Sequence, residues 1–382
     1  MKRCCTFLFL GVFLLASPIS RAADVTTLEI GAAAPDFNLP GIDGKNHTLH
    51  EYDQAKILVI LFTCNHCPTA QAYEERVLQL DADYKNKGVK LVAINPNDPN
   101  AVRLDELGYT EYSDSLDEMK LRAAEHHFTF PYLYDGKTQS VSLAYGVQAT
   151  PHIYIFDSQR KLRYVGAIDD SEVKEVHQKY AREALDALLA GKPVPTEKTH
   201  VFGCSTKWID KTDSAKTAIA KWDQEPVSLA EVDAAGVKKI AANQSENLRL
   251  VNIWATWCGP CVEEIPDLVA MKRMYGKRDF EVVTISMDEI EDKAKALKFL
   301  QNLHVAETNY IFNGEQKDAL VNALDPKWEG PVPHTMLIAP GGTVIYRHTG
   351  RFDAVEVKKA IVSYIGRTYA PQPKLEGVKA AK

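Results

Sequence analysis

The feature that most limits what this chain can become is a pattern that occurs twice. An apolar run of strand length leads into Cys-x-x-Cys and then into residues of helical spacing. A Pro-His pair ahead of another apolar run follows much later. In the downstream copy, Leu250–Pro266 reads LVNIWATWCGPCVEEIP, with Val251 and Ile253 marking a buried central strand before Cys258 and Cys261. In the upstream copy, Ile57–Phe62 (ILVILF) precedes Cys64-Asn65-His66-Cys67, and Pro68 suits the first turn of a helix. Each copy continues through a turn, a strand and a closing helix. The gap is 84 residues from Cys67 to Pro151 and 72 from Cys261 to Pro333, so the halves form a divergent tandem repeat.

A thiol pair placed where a strand feeds a helix suits redox exchange. The helix N-terminus carries partial positive charge and unpaired N–H groups, which stabilise a thiolate on the first cysteine. Two intervening residues let the second sulfur close a disulfide with little backbone movement. Half of a zinc site is the bland alternative, but neither pair has a second C-x-x-C within zinc-ribbon spacing.

These residues carry a family resemblance. WATWCGPCVEEIP resembles the active-site stretch of the periplasmic thioredoxins of the TlpA/ResA type. Ala34–Lys45, APDFNLPGIDGK, resembles the N-terminal hairpin of the redoxin (AhpC/TSA-like) branch of the thioredoxin superfamily, here with a C-N-H-C motif. The resemblance implies an α/β chain of two tandem thioredoxin-like folds, each a central mixed sheet flanked by helices. It implies that Cys258 and Cys64 attack an incoming disulfide while Cys261 and Cys67 resolve the mixed disulfide. Pro151 and Pro333 correspond to the cis-proline that faces the sulfurs, and Pro266 to a kink in the active-site helix. Thioredoxins carry a buried aspartate six residues before the first cysteine, where this chain has Asn252 and Leu58. The TlpA/ResA type instead uses a glutamate three residues after the second cysteine, which is Glu264 here and Ala70 in the first half.

Several residues qualify that reading. His66 lies between the sulfurs of the first pair, where an imidazole would lower the pKa of Cys64 and make its disulfide more oxidising. Trp254 and Trp257 are expected to pack around the second motif, with Trp257 covering it. The odd cysteine, Cys204 in THVFGCSTKW, reads either as a third redox cysteine that resolves a mixed disulfide on Cys64 or as an inert buried thiol. A thiol peroxidase needs proline and threonine or serine at P-x-x-x-[TS]-x-x-C. Ile60 and Cys64 hold those offsets before Cys67, and Ile57 and Leu61 before Cys64. Cys64, Cys67 and His152 could hold copper, and the alternative from another class is a binding protein whose first domain has lost redox turnover and docks a metal or a client.

The ends and the composition set the context. Lys2 and Arg3, then Cys4–Leu15 and Ser20-Arg21-Ala22, read as a signal peptide cut before Ala23, an apolar run too short to span a bilayer. Retention as an anchor is the alternative. Of the seven cysteines, Cys4 and Cys5 leave with that segment, and five are too few for a disulfide scaffold. A net charge of −6 without a basic block favours neither nucleic acid nor an anionic membrane, and no further run is long enough for a span. The expected organisation is a signal peptide at 1–22, a redoxin-like domain at 23–208, a linker at 209–225, a TlpA/ResA-like domain at 226–370 and a tail at 371–382. The expectation is a periplasmic oxidoreductase without cofactor or metal. Its partners would be protein thiols and disulfides and a membrane-bound thiol reductant.

Overall fold

The computed structural model describes residues 25–314 and 316–370. The expected signal peptide, its cleavage site before Ala23 and the 371–382 tail lie outside the described residues. The chain opens with a hairpin, β1 (Asn38–Pro40) against β2 (Asn46–Thr48). Six buried residues in a row then make β3 (Ile57–Phe62) a strand covered on both faces. Helix α1 (Pro68–Tyr84) follows, then β4 (Val89–Asn95), α2 (Leu116–Glu125), β5 (Tyr132–Tyr134) and α3 (Ser140–Tyr145). A short β6 (Ala149–Thr150) precedes β7 (His152–Phe156), β8 (Leu162–Gly166) and α4 (Tyr180–Leu189). The sheet order is β5-β4-β3-β7-β8, with β3 parallel to β4 and antiparallel to β7. One apolar cluster packs on each face, around Tyr73 and Leu185 on one side and Phe62 and Tyr145 on the other. Helix α4 is shorter than the Glu172–Leu189 span its apolar spacing suggests.

The expected linker is instead structured. After β9 (Cys204–Ser205), Thr212–Trp222 forms helix α5, because Ala215, Ala218, Ile219 and Trp222 recur at i, i+3, i+4, i+7. Its first turn meets the first half where Thr212 Oγ1 donates to Asp98. Its far end meets the second half, with Arg273 bound to Asp223 at 2.6 Å and lying over the Trp222 ring.

The second half repeats the plan. Its elements are β10 (Ala230–Val232), α6 (Ala234–Ala242), β11 (Leu248–Trp254), α7 (Gly259–Tyr275), β12 (Phe280–Ser286) and α8 (Lys293–Asn302). They continue with β13 (Thr308–Phe312), α9 (Lys317–Leu324), β14 (His334–Ile338), β15 (Val344–Thr349) and α10 (Ala354–Ile365). The order β10-β13-β12-β11-β14-β15 again puts the strand before the cysteines between a parallel and an antiparallel neighbour. Helix α7 runs on through Pro266. Its C-terminal end docks on the first half. Tyr275 Oη donates to Thr110 O at 2.8 Å and Arg278 to Gly108 O at 2.9 Å, while Val102 and Leu107 join the second core. No helix among the described residues is long and apolar enough to cross a membrane.

Candidate redox sites

In the second half β11 delivers the chain to Trp254, and the next turn is held by Asp288, which accepts from Thr256 N and Thr256 Oγ1. Cys258 caps α7, and its Sγ accepts from Cys261 N at 3.3 Å. Cys258 and Cys261 are joined as a disulfide, with Cα atoms 5.3 Å apart. The Val332–Pro333 bond is cis, and Val332 packs against the cluster that holds both sulfurs. One helical turn on, Glu264 is buried, its Oε1 accepting from Asn252 Nδ2 at 2.7 Å and its Oε2 from Phe352 N at 3.3 Å. Burial outweighs those bonds and raises its pKa from 4.5 to about 7. Asn252 also donates to Thr335 Oγ1 at 2.9 Å, so the residue that replaces the thioredoxin aspartate holds the glutamate in place. Glu263 is an exposed helix charge paired with Arg351.

Trp254 is buried and lies against Phe299, while Trp257 is 66% exposed. His334, of the Pro-His pair, is stacked on Trp328 and donates or accepts at Thr349, and burial depresses its pKa to about 4. It is a neutral packing residue.

The first site is built differently. Helix α1 begins at Pro68, so its cap is Cys67 rather than the first cysteine. The stretch Asn65-His66 forms a turn clamped by Asp114, a wholly buried residue that sequence reasoning missed. Asp114 Oδ1 accepts from Asn65 N at 2.8 Å and His66 N at 3.3 Å, while Oδ2 meets His66 Nδ1 at 2.6 Å and Asn97 Nδ2 at 2.8 Å. The only signal for it was an aspartate just before the Ser115 cap of α2, which looks like an ordinary turn residue. Burial opposes charge on both members, but their mutual attraction wins. The His66 pKa is raised and that of Asp114 lowered, so the pair is ionic.

That charge acts on Cys67, not on Cys64 as expected. Burial resists ionisation of Cys67, but hydrogen bonds from Cys204 and Cys64, the His66 charge and the Ala70 N–H outweigh it and lower its pKa. Cys64 goes the other way: burial, its bond to Cys67 and the Asp114 charge hold it as a thiol. Its Sγ lies 3.0 Å from Thr150 Oγ1, next to the cis Thr150–Pro151 bond. The first site thus lowers the pKa of the sulfur at the helix terminus, which the chain has moved by three residues.

Metal binding finds little support in these contacts. Cys64, His66 and Asp114 bring ligand atoms within 4.8 Å of one another, the one such group among the described residues. Both Asp114 oxygens and His66 Nδ1 are already engaged. His152, invoked for copper, is not in the group. It is buried beside Tyr154 Oη, and burial lowers its pKa to about 3.

Cys204 is brought to this site by β9, which pairs antiparallel with β6 so that Cys204 faces Thr150. The approach requires Gly203: its φ is +136°, and a Cβ there would lie 2.1 Å from Thr150 O. Gly203→Ala is therefore expected to push β9 off β6, at a cost of roughly 1–3 kcal/mol in strain or lost contacts. Alkylation of Cys204 by iodoacetamide should become several-fold faster, and an unchanged rate would show that the pairing does not shield it.

Comparison with known proteins gives a consistent picture. The AhpC/TSA family profile matches residues 30–165 and the Redoxin profile residues 217–361. The thiol-disulfide oxidoreductase ResA of Oceanobacillus iheyensis is 28% identical over 32% of this chain, which spans about half (53%) of that protein. The thiol:disulfide interchange protein DsbE of Pseudomonas aeruginosa is 27% identical over 38% of this chain and 74% of its own. An uncharacterised conserved protein of Geobacillus kaustophilus, of known crystal structure, is 41% identical over 47% of this chain and 92% of its own, with a TM-score of 0.43.

Proposed function

Since the chain carries an AhpC/TSA domain and a redoxin domain in tandem, we propose that it is a thiol–disulfide oxidoreductase with two exchange sites. The observation that supports this best is the Cys258–Cys261 disulfide at the N-terminus of α7, beside a cis-proline. Cys258, at the helix cap, is the attacking sulfur, and Cys261 resolves the mixed disulfide with Glu264 as proton acceptor. In the first site Cys64 and Cys67 exchange, with Cys67 carrying the negative charge. No cofactor takes part. Clients are protein thiols or disulfides in the periplasm, and a membrane-bound thiol reductant recharges the protein.

The second disulfide stands at the end of α7 away from this helix's contact with the first half. Cys258 caps one end of α7 and the other end docks on the first half. Seventeen residues at 1.5 Å each put roughly 25 Å between Cys258 and that contact.

The test is the reduction potential of each site, measured by glutathione equilibration with Cys258 and Cys261, or Cys64 and Cys67, changed to serine. Charge stabilisation of the Cys67 thiolate favours the reduced form, so the first site is expected ~80 mV or more above the second. A first site that never cycles would reduce this half to a binding module.

A further inference from the structure

The edge strand before a cis-proline beside a dithiol is where an extended client chain can add main-chain hydrogen bonds. In the second half that edge is free: among the described residues no strand pairs with Val332. In the first half the chain's own segment holds it, with Thr150 opposite Cys204. Cys204 N donates to Cys67 Sγ at 3.3 Å, and Cys204 packs on the cluster of Cys64, Cys67 and Ala70. This segment is latched and not a loose cover. Thr206 N donates to Gln148 O, Lys207 N to Asn97 Oδ1 at 2.8 Å, and Ile209 N to Gln139 Oε1 at 2.8 Å.

Access differs among the three sulfurs. Cys67 is fully buried and Cys64 is 3% exposed, while Cys204 is partly exposed. A folded client's disulfide reaches Cys204 before either member of the C-x-x-C. We propose that Cys204 is the client-facing redox cysteine of the first site and that its disulfide partner is Cys67. This rests on the thiol–disulfide reading above, replaces its Cys64–Cys67 pair in the first site with Cys67–Cys204, and names the sulfur that meets the client.

The exchange balances as follows. Cys204 passes its proton to the Cys67 sulfur and attacks one sulfur of a client disulfide. A Cys204–client bond forms and the client S–S bond breaks. The departing thiolate takes the proton back from Cys67. The Cys67 thiolate then attacks Cys204 Sγ, forming the Cys67–Cys204 bond and breaking the bond to the client. The second client sulfur leaves as a thiolate and is protonated by solvent. Two electrons pass from the two protein sulfurs to the client, which ends as a dithiol.

The experiment oxidises the full chain with glutathione disulfide, quenches by alkylation and maps linked peptides by mass. The expected product joins Cys67 to Cys204 and leaves Cys64 alkylated. Cys204→Ser should then slow oxidation of the first site at least tenfold. In Cys67→Ser, glutathione should be trapped on Cys204. A Cys64–Cys67 linkage with Cys204 alkylated overturns the inference but leaves the two-site oxidoreductase intact. A first site that stays reduced while Cys258 and Cys261 oxidise overturns both for this half.

Discussion

Asp114→Ala will unfold the first half at much lower urea than the wild-type chain, with a loss of roughly 3–5 kcal/mol. The side chains of Asp114 and His66 are 0% and 1% exposed. Removing the carboxylate strands a buried imidazole and leaves Asn65 N, His66 N and Asn97 Nδ2 without their acceptor. The pH dependence identifies the pair. Asp114 has its pKa lowered from 3.8, so its share is present above about pH 4 and lost as pH falls through the lower folded value. His66 has its pKa raised from 6.5, so its share is complete below that and lost as pH rises through the higher folded value. The stability gap between variant and wild type should therefore be widest between about pH 4 and 6.5. Lys207 and Cys67 also act on His66, lowering and raising its pKa respectively, and are unchanged in this variant. Without Asp114 the buried His66 loses the partner that keeps it charged, and with it the Cys67 thiolate loses the His66 charge that favours it, so reaction of the first site with a disulfide should slow in parallel. A flat gap across pH would mean that Asp114 acts through its hydrogen bonds alone.

Much of the frame was legible in the residues, because both halves announce their central strand with an unbroken apolar run before the cysteines. Ile57–Phe62 is β3 to the residue, and the cis bonds stand at Pro151 and Pro333 where the Pro-His pairs place them. What the sequence hides is contact made across long separations. Asp114 is 48 residues from His66, and Thr150 is 86 from Cys64; no local spacing betrays either. The pairing of β6 with β9 is two residues long and carries no apolar alternation, so it leaves no periodic trace. The helix cap at Cys67 is a similar case. C-N-H-C and C-G-P-C look equivalent as spacings, yet Pro68 sits just after the second cysteine of the first motif and starts the helix there, while Pro260 lies between the cysteines of the second. One shifted proline thus changes which sulfur caps the helix. The helical join at 212–222 was legible from its apolar spacing, and its polar composition outweighed that signal in the reading as a linker.

Glu264→Gln should slow resolution at the second site by roughly 10²-fold at pH 7.5, the lower end of what general acid–base catalysis supplies. Resolution requires Cys261 to lose its proton. A carboxyl with a pKa of about 7 is ionised and able to accept it above neutrality, and is already protonated below. The wild-type rate should rise through about pH 7, whereas the variant should rise only near the ordinary thiol value of about 8.5. Stability must move in the opposite direction. The folded pKa lies above the ordinary 4.5, so the native state holds a proton between those values that the unfolded chain releases. Stability from this group therefore falls as pH rises from 4.5 to about 7, where a buried carboxylate has replaced a neutral acid. Glutamine keeps the shape and never ionises. The variant should thus resist urea better than wild type above pH 7 and show no gain below pH 4.5. Asn252 supplies the control, since its Nδ2 bond at 2.7 Å steadies the Glu264 carboxylate. Losing that donor in Asn252→Leu should raise the Glu264 pKa further and shift the rate limb to higher pH without abolishing it. A variant slowed equally at every pH, with stability unchanged, would assign Glu264 to packing and return proton transfer to solvent.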